Sequence, residues 1–118
     1  MKRTRGELLA AVRAVLEAVA GLDWGGLDTL TGGRRIPGHE VASILAEADV
    51  MPGEVPAAAM DGLKLIKHQS SRRGSRSWAA AVDLYDWSGR RSDLTLELTV
   101  FERQDGTVGV EIDNLHVL

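Results

Sequence analysis

Cysteine is absent from the 118 residues. Disulfides, thiolate metal sites and thiol nucleophiles are therefore excluded together, and a reducing compartment is the expected home. Aromatic side chains are scarce: Trp24, Trp78, Trp87, Tyr85 and Phe101 are all there are. No run of about 18 apolar residues occurs, so no membrane-spanning helix is expected. Lys2, Arg3 and Arg5 before the Ala18-Val19-Ala20 triplet imitate a signal peptide, but Glu7, Arg13 and Glu17 interrupt its apolar core, and cytoplasmic residence without export is expected. An excess of either charge is missing too. At a net charge of −3 the chain lacks the concentrated basic footprint of a nucleic-acid binder.

What is present suits one domain over residues 1–118, helical over 4–60 and sheet over 63–118. Thr4 and Glu7 have the spacing of a capping box. Leu8, Val12, Val15, Leu16 and Val19 then recur at helical spacing until Gly21. Asp23 caps a second helix that buries Trp24, Leu27 and Leu30 before Gly32-Gly33. Pro37 suits the first turn of a third, whose Val41, Ile44, Leu45 and Ala48 share a face, and Pro56 opens a further turn from Ala57 to Met60.

Beyond Gly62 the period changes to two. Leu63 and Leu65 begin a short strand, residues 70–77 read as a polar loop, and Trp78, Ala80, Val82 and Leu84 alternate as a second strand. Leu94, Leu96, Leu98 and Val100 form a third, and Val108, Val110 and Ile112 a fourth, joined through Gln104-Asp105-Gly106 with Gly106 left-handed. A one-residue slip inverts every side chain, so the apolar set fixes the register. Arg103 should face Thr107, Val100 Val110, Leu98 Ile112, Val82 Leu96 and Leu84 Leu94. Leu115 and Val117 have the opposite parity from Ile112, which predicts a bulge near Asp113-Asn114. The fold class is α+β: N-terminal helices on a C-terminal four-stranded antiparallel meander.

The same register puts Asp83, Glu97, Glu111 and Asp113 on the outer face, with Glu97 opposite Asp113. Opposed like charges destabilise a sheet. Three readings are open: neutralisation by Lys64, Lys67 or Arg76 on a solvated face, an acidic docking face for a basic protein partner, or a cation site. Trp87, at a turn beside Ser88-Gly89, is expected to be exposed, either as an isolated surface aromatic that needs no special explanation or as an anchor for a partner. Ser70, Ser71, Arg72, Arg73, Ser75, Arg76 and Ser77 make a basic loop, either a solvated hairpin connection or a contact for phosphate or an acidic partner.

Catalytic patterns are lacking. His39, His68 and His116 have no metal-ligand spacing, so neither a metal nor a cofactor is implied. His116 beside Asp113 or Asp93 is either a hydrogen-bonded structural histidine or a general base. Gly32-Gly33-Arg34-Arg35 lacks the strand before it and the Lys-Ser/Thr after it that a phosphate loop needs.

The strings Ser92-Asp93-Leu94-Thr95-Leu96-Glu97-Leu98-Thr99 and Glu111-Ile112-Asp113-Asn114-Leu115-His116-Val117-Leu118 resemble a family of short bacterial domains of unknown function. Leu30-Thr31-Gly32-Gly33-Arg34 and the stretch from 78 to 87 extend the resemblance. It implies a bacterial origin and a C-terminal sheet, and it carries no catalytic residues. The order of helices before a curved sheet also looks like cystatin-like or nuclear-transport-factor-like folds, which host enzymes and binding modules alike. The leading expectation is a non-enzymatic protein-binding or regulatory module, an immunity protein that neutralises a toxin being its most concrete form. The alternative is a small-molecule-binding or enzymatic pocket between helices and sheet, with Asp93 and His116 as its polar groups. The sequence leaves the oligomeric state open.

Overall fold

The computed structural model describes residues 3–68 and 76–117. Most of the expected basic loop (Ser70, Ser71, Arg72, Arg73 and Ser75), together with Lys2 and Leu118, lies outside the described residues. Helix α1 spans Arg5–Ala20 and buries Leu8, Val12, Val15, Leu16 and Val19, the stripe that its spacing predicts. Thr4 Oγ1 accepts from the Glu7 N–H at 3.2 Å. The reciprocal half of the capping box is replaced, since the Glu7 carboxylate meets Arg3 at 2.8 Å and the Thr4 hydroxyl at 3.4 Å. Helix α2 (Trp24–Thr31) is capped by Asp23, which accepts from the Gly26 N–H at 2.9 Å. It buries Leu27 fully and leaves Trp24 and Leu30 half-buried. Helix α3 (Gly38–Glu47) begins one residue after Pro37, which is its N-cap, and buries Val41 and Leu45. A short α4 (Ala57–Asp61) follows Pro56.

Four strands form one antiparallel sheet in sequence order: β1 (Ile66–Lys67), β2 (Ser77–Tyr85), β3 (Arg91–Glu102) and β4 (Val108–Val117). The first starts later than Leu63 and Leu65 suggest. Leu63 still bonds back to Met60 (3.2 Å) and drops into the core, so the chain becomes extended only at Ile66. Trp78, Ala80, Val82 and Leu84, with Leu94, Leu96, Leu98, Val100, Val110, Ile112 and Leu115, line the face that α1 and α2 cover. Burying each of the larger of these side chains contributes about 1.5–3 kcal/mol, which makes this layer the main source of stability.

Observed pairs include Val82↔Leu96, Leu98↔Ile112 and Val100↔Val110, as the alternation requires. Arg103 N donates to Thr107 O at 2.8 Å around a hairpin loop whose Gly106 has φ +88°. The bulge expected near Asp113-Asn114 is there: Leu98 pairs with Ile112 but Glu97 pairs with Asn114, which returns Leu115 to the core opposite Leu96.

That bulge overturns one expected pair, because the extra residue is Asp113 itself and Glu97 faces Asn114 instead. Leu84 opposite Leu94 is also corrected. After Asp83↔Thr95 the next pair is Tyr85↔Arg91, so β3 carries two surplus residues there, and the Ser92 hydroxyl donates to Leu84 O at 2.7 Å.

Candidate functional site

The outer face of the sheet is built from the residues that alternate with the core set: Ala79, Ala81 and Asp83 on β2, Thr95, Glu97 and Thr99 on β3, and Glu111, Asp113 and His116 on β4. All four expected acids are therefore on one face, and each has a cationic or titratable neighbour. Arg35 reaches over the β4 edge to Glu111 (Nε–Oε2 3.3 Å) and Asp113 (Nη1–Oδ1 3.0 Å). Arg91 lies 3.8 Å from Asp83, and His116 Nε2 lies 3.3 Å from Glu97 Oε2. Thr95 and Thr99 hydroxyls donate to Asp83 (3.0 Å) and Asp113 (2.6 Å).

Lys64, Lys67 and Arg76 are not the partners. Arg76 turns to Glu102 instead, through Nε at 2.7 Å and Nη2 at 2.8 Å, and sits 6.0 Å over the Trp78 ring. Arg35 replaces them because Gly32 (φ +73°) and Gly33 (φ +65°) turn the chain back from α2, and Arg35 then bridges in parallel to Ile112 on the β4 edge. With two guanidiniums and one histidine against four carboxylates, the face stays net negative while its side chains are held in fixed pairs. Such half-exposed pairs order a surface more than they stabilise it.

Trp87 stands at one end of the sheet. It is 76% exposed, on the turn between β2 and β3, and the turn is tied from two sides. From within, Asp86 Oδ1 accepts from Ser88 N (2.9 Å), Ser88 Oγ (2.6 Å) and Arg90 N (3.0 Å). These bonds, the Ser88 hydroxyl foremost, hold the Asp86 carboxyl below its ordinary range. From outside, the segment after α3 runs alongside: Trp87 N donates to Met51 O and Gly53 N to Tyr85 O, both at 2.9 Å, and Pro52 bridges Asp86. Gly53 is required by the closeness, since a Cβ there would lie 2.7 Å from Trp87 Cα. Met51, 54% exposed, is the second large apolar side chain of this end.

Asp93 and His116 do not line one hollow. Asp93 lines a hollow of about 400 Å³ with Asp49, Val50, Asp86, Leu94 and Val117, whereas His116 points to the outer face beside Glu97. A larger hollow of about 840 Å³ lies along β2, bordered by Ala58, Ala59 and Leu63 from the α4 side and by Ala81, Asp83 and Glu97 from the sheet. Among the described residues, no group of three or more His, Asp or Glu side chains is arranged to hold a metal ion. No helix there is long and apolar enough to cross a membrane.

Sequence reasoning missed Arg35, Met51, Gly53, Asp86 and Arg91. Only the Gly32-Gly33 pair signals any of them, by marking a sharp return of the chain ahead of Arg35. No curated protein matches the chain. A family model does match, from residue 17 in α1 through every strand to residue 118, and the chain belongs to that family, the domain of unknown function DUF7668.

Proposed function

We propose that this domain is a protein-binding module whose anchor is Trp87. The observation that carries the reading is a large aromatic side chain, 76% exposed, on a turn whose backbone is held by Met51, Gly53 and the Asp86 carboxylate. Tryptophan is among the residues most enriched at interface hot spots, and ordering flexible segments on binding costs affinity. A turn already fixed in the free protein avoids much of that cost. The negative outer face adds preference for a basic partner, through Asp83, Glu97, Glu111 and Asp113, acting mainly on association rate. An immunity protein neutralising a basic toxin in the bacterial cytoplasm is the concrete form of this reading.

The test is comparative capture from the native host by wild type, Trp87→Ala and Trp87→Phe. One partner should bind wild type and Trp87→Phe, and Trp87→Ala should weaken it by at least about 30-fold, the roughly 2 kcal/mol of a hot spot. Equal capture by all three at matched thermal stability would refute the anchor.

A further inference from the structure

The edge of β2 is only partly covered. Its odd-numbered residues turn their N–H and C=O groups away from β3: Ser77 O accepts from His68 N, and Tyr85 O from Gly53 N, both at 2.9 Å. Ala79 is paired with Ile66. Between these two ends the chain leaves the sheet, makes α4 and returns, so Ala81 and Asp83 present an N–H and a C=O each to the outside with no strand among the described residues beside them. Arg5 pins the departing segment by donating to Asp61 O (3.1 Å) and Leu63 O (2.6 Å). What remains is the hollow of about 840 Å³ alongside β2, within the roughly 300–1,000 Å³ of ligand sites. Ile66, 65% exposed, borders it.

From these features we infer that the gap in the β2 edge binds the C-terminal tail of a partner protein as a short added strand. Two unpaired donors and two unpaired acceptors at strand spacing are a template for an extended backbone. The stretch from 80 to 84 spans about 17 Å at strand rise, and the chain's own segments close it at both ends. An internal segment of a partner would have to bend out at both ends, whereas a chain terminus bends out at only one.

Direction follows from the neighbours. A tail antiparallel to β2 runs the way β1 runs and ends at the Ile66 end, where Lys64 lines the hollow and makes no ion pair among the described residues. A free carboxylate there meets an unspent cation. A parallel tail would end toward Arg91, already 3.8 Å from Asp83. Ala58, Ala59 and Ala81 leave room for the tail's side chains, and Glu97 and Asp83 favour a basic one among them.

The experiment selects binders from a displayed library of random seven-residue C-termini and synthesises the enriched peptides as free acids and as C-terminal amides. The free acids should shift the backbone amide resonances of Ala81 and Asp83. Amidation and Lys64→Gln should each weaken binding at least about tenfold, and Trp87→Ala should leave it unchanged, since this site stands apart from the anchor. Ala81→Pro removes one edge donor without touching the β3 ladder and should abolish binding, and if that variant fails to fold, Lys64→Gln still decides. Failure to enrich any peptide, equal binding of acids and amides, or shifts confined to other residues would overturn the inference.

Discussion

Glu102 lies where three parts of the chain meet. Its carboxylate accepts from Arg76 at 2.7 and 2.8 Å and from Arg3 Nε at 3.1 Å, and Arg3 also donates to Gly106 O, so the start of α1, the start of β2 and the last hairpin share one carboxylate. These bonds, the Arg76 guanidinium foremost, lower its pKa from an ordinary 4.5 to about 2. A carboxylate with a depressed folded-state pKa binds fewer protons folded than unfolded between those two values. Its stabilising contribution is therefore complete above the ordinary pKa and disappears as pH falls toward the depressed one. Glu102→Gln should lower the melting temperature at pH 7, and the gap to wild type should close between about pH 4.5 and 2. A gap that does not change with pH would show that the side chain acts through shape alone.

The same dependence on distant partners governs the strands. Asp113 is the bulged residue of β4, and it accepts from Thr99 Oγ1 at 2.6 Å while Arg35 lies at 3.0 Å. Neutralising it therefore removes attraction, the opposite of what facing Glu97 would imply. Asp113→Asn keeps an acceptor for Thr99 and loses the ion pair, so it should cost about 0.5–1 kcal/mol, the upper part of the range for a solvent-screened pair, because Arg35 is 62% exposed. A gain in denaturant midpoint would contradict the pairing seen here.

How far such elements can be read in advance depends on parity. The extra residue at Asp113 flips the alternation, so Leu115 and Val117 disclose the bulge in the sequence. The surplus in β3 between Thr95 and Arg91 is two residues, which restores parity and leaves no trace in the pattern. Helices were legible because caps and apolar stripes are local, as at Thr4 and Asp23. Arg35 was not, because its partners at Glu111 and Asp113 are set by where β4 lies in space. Gly53 follows Pro52, a pairing that by itself marks only a break in the chain, although its role is to let two backbones approach.

At the scale of the whole molecule, α1 and α2 cover one face of the sheet, which leaves the outer face, the β2 gap and the Trp87 turn to meet other molecules. Their chemistry differs: fixed ion pairs, open backbone groups, and one aromatic on a braced turn. The last is the proposed anchor. Incorporating a photoreactive benzoylphenylalanine in place of Trp87 and irradiating the protein in its native host tests it most directly. One discrete cross-linked partner is expected, suppressed by excess unlabelled wild type and not by excess Trp87→Ala. A smear of products, or suppression by both competitors alike, would contradict it.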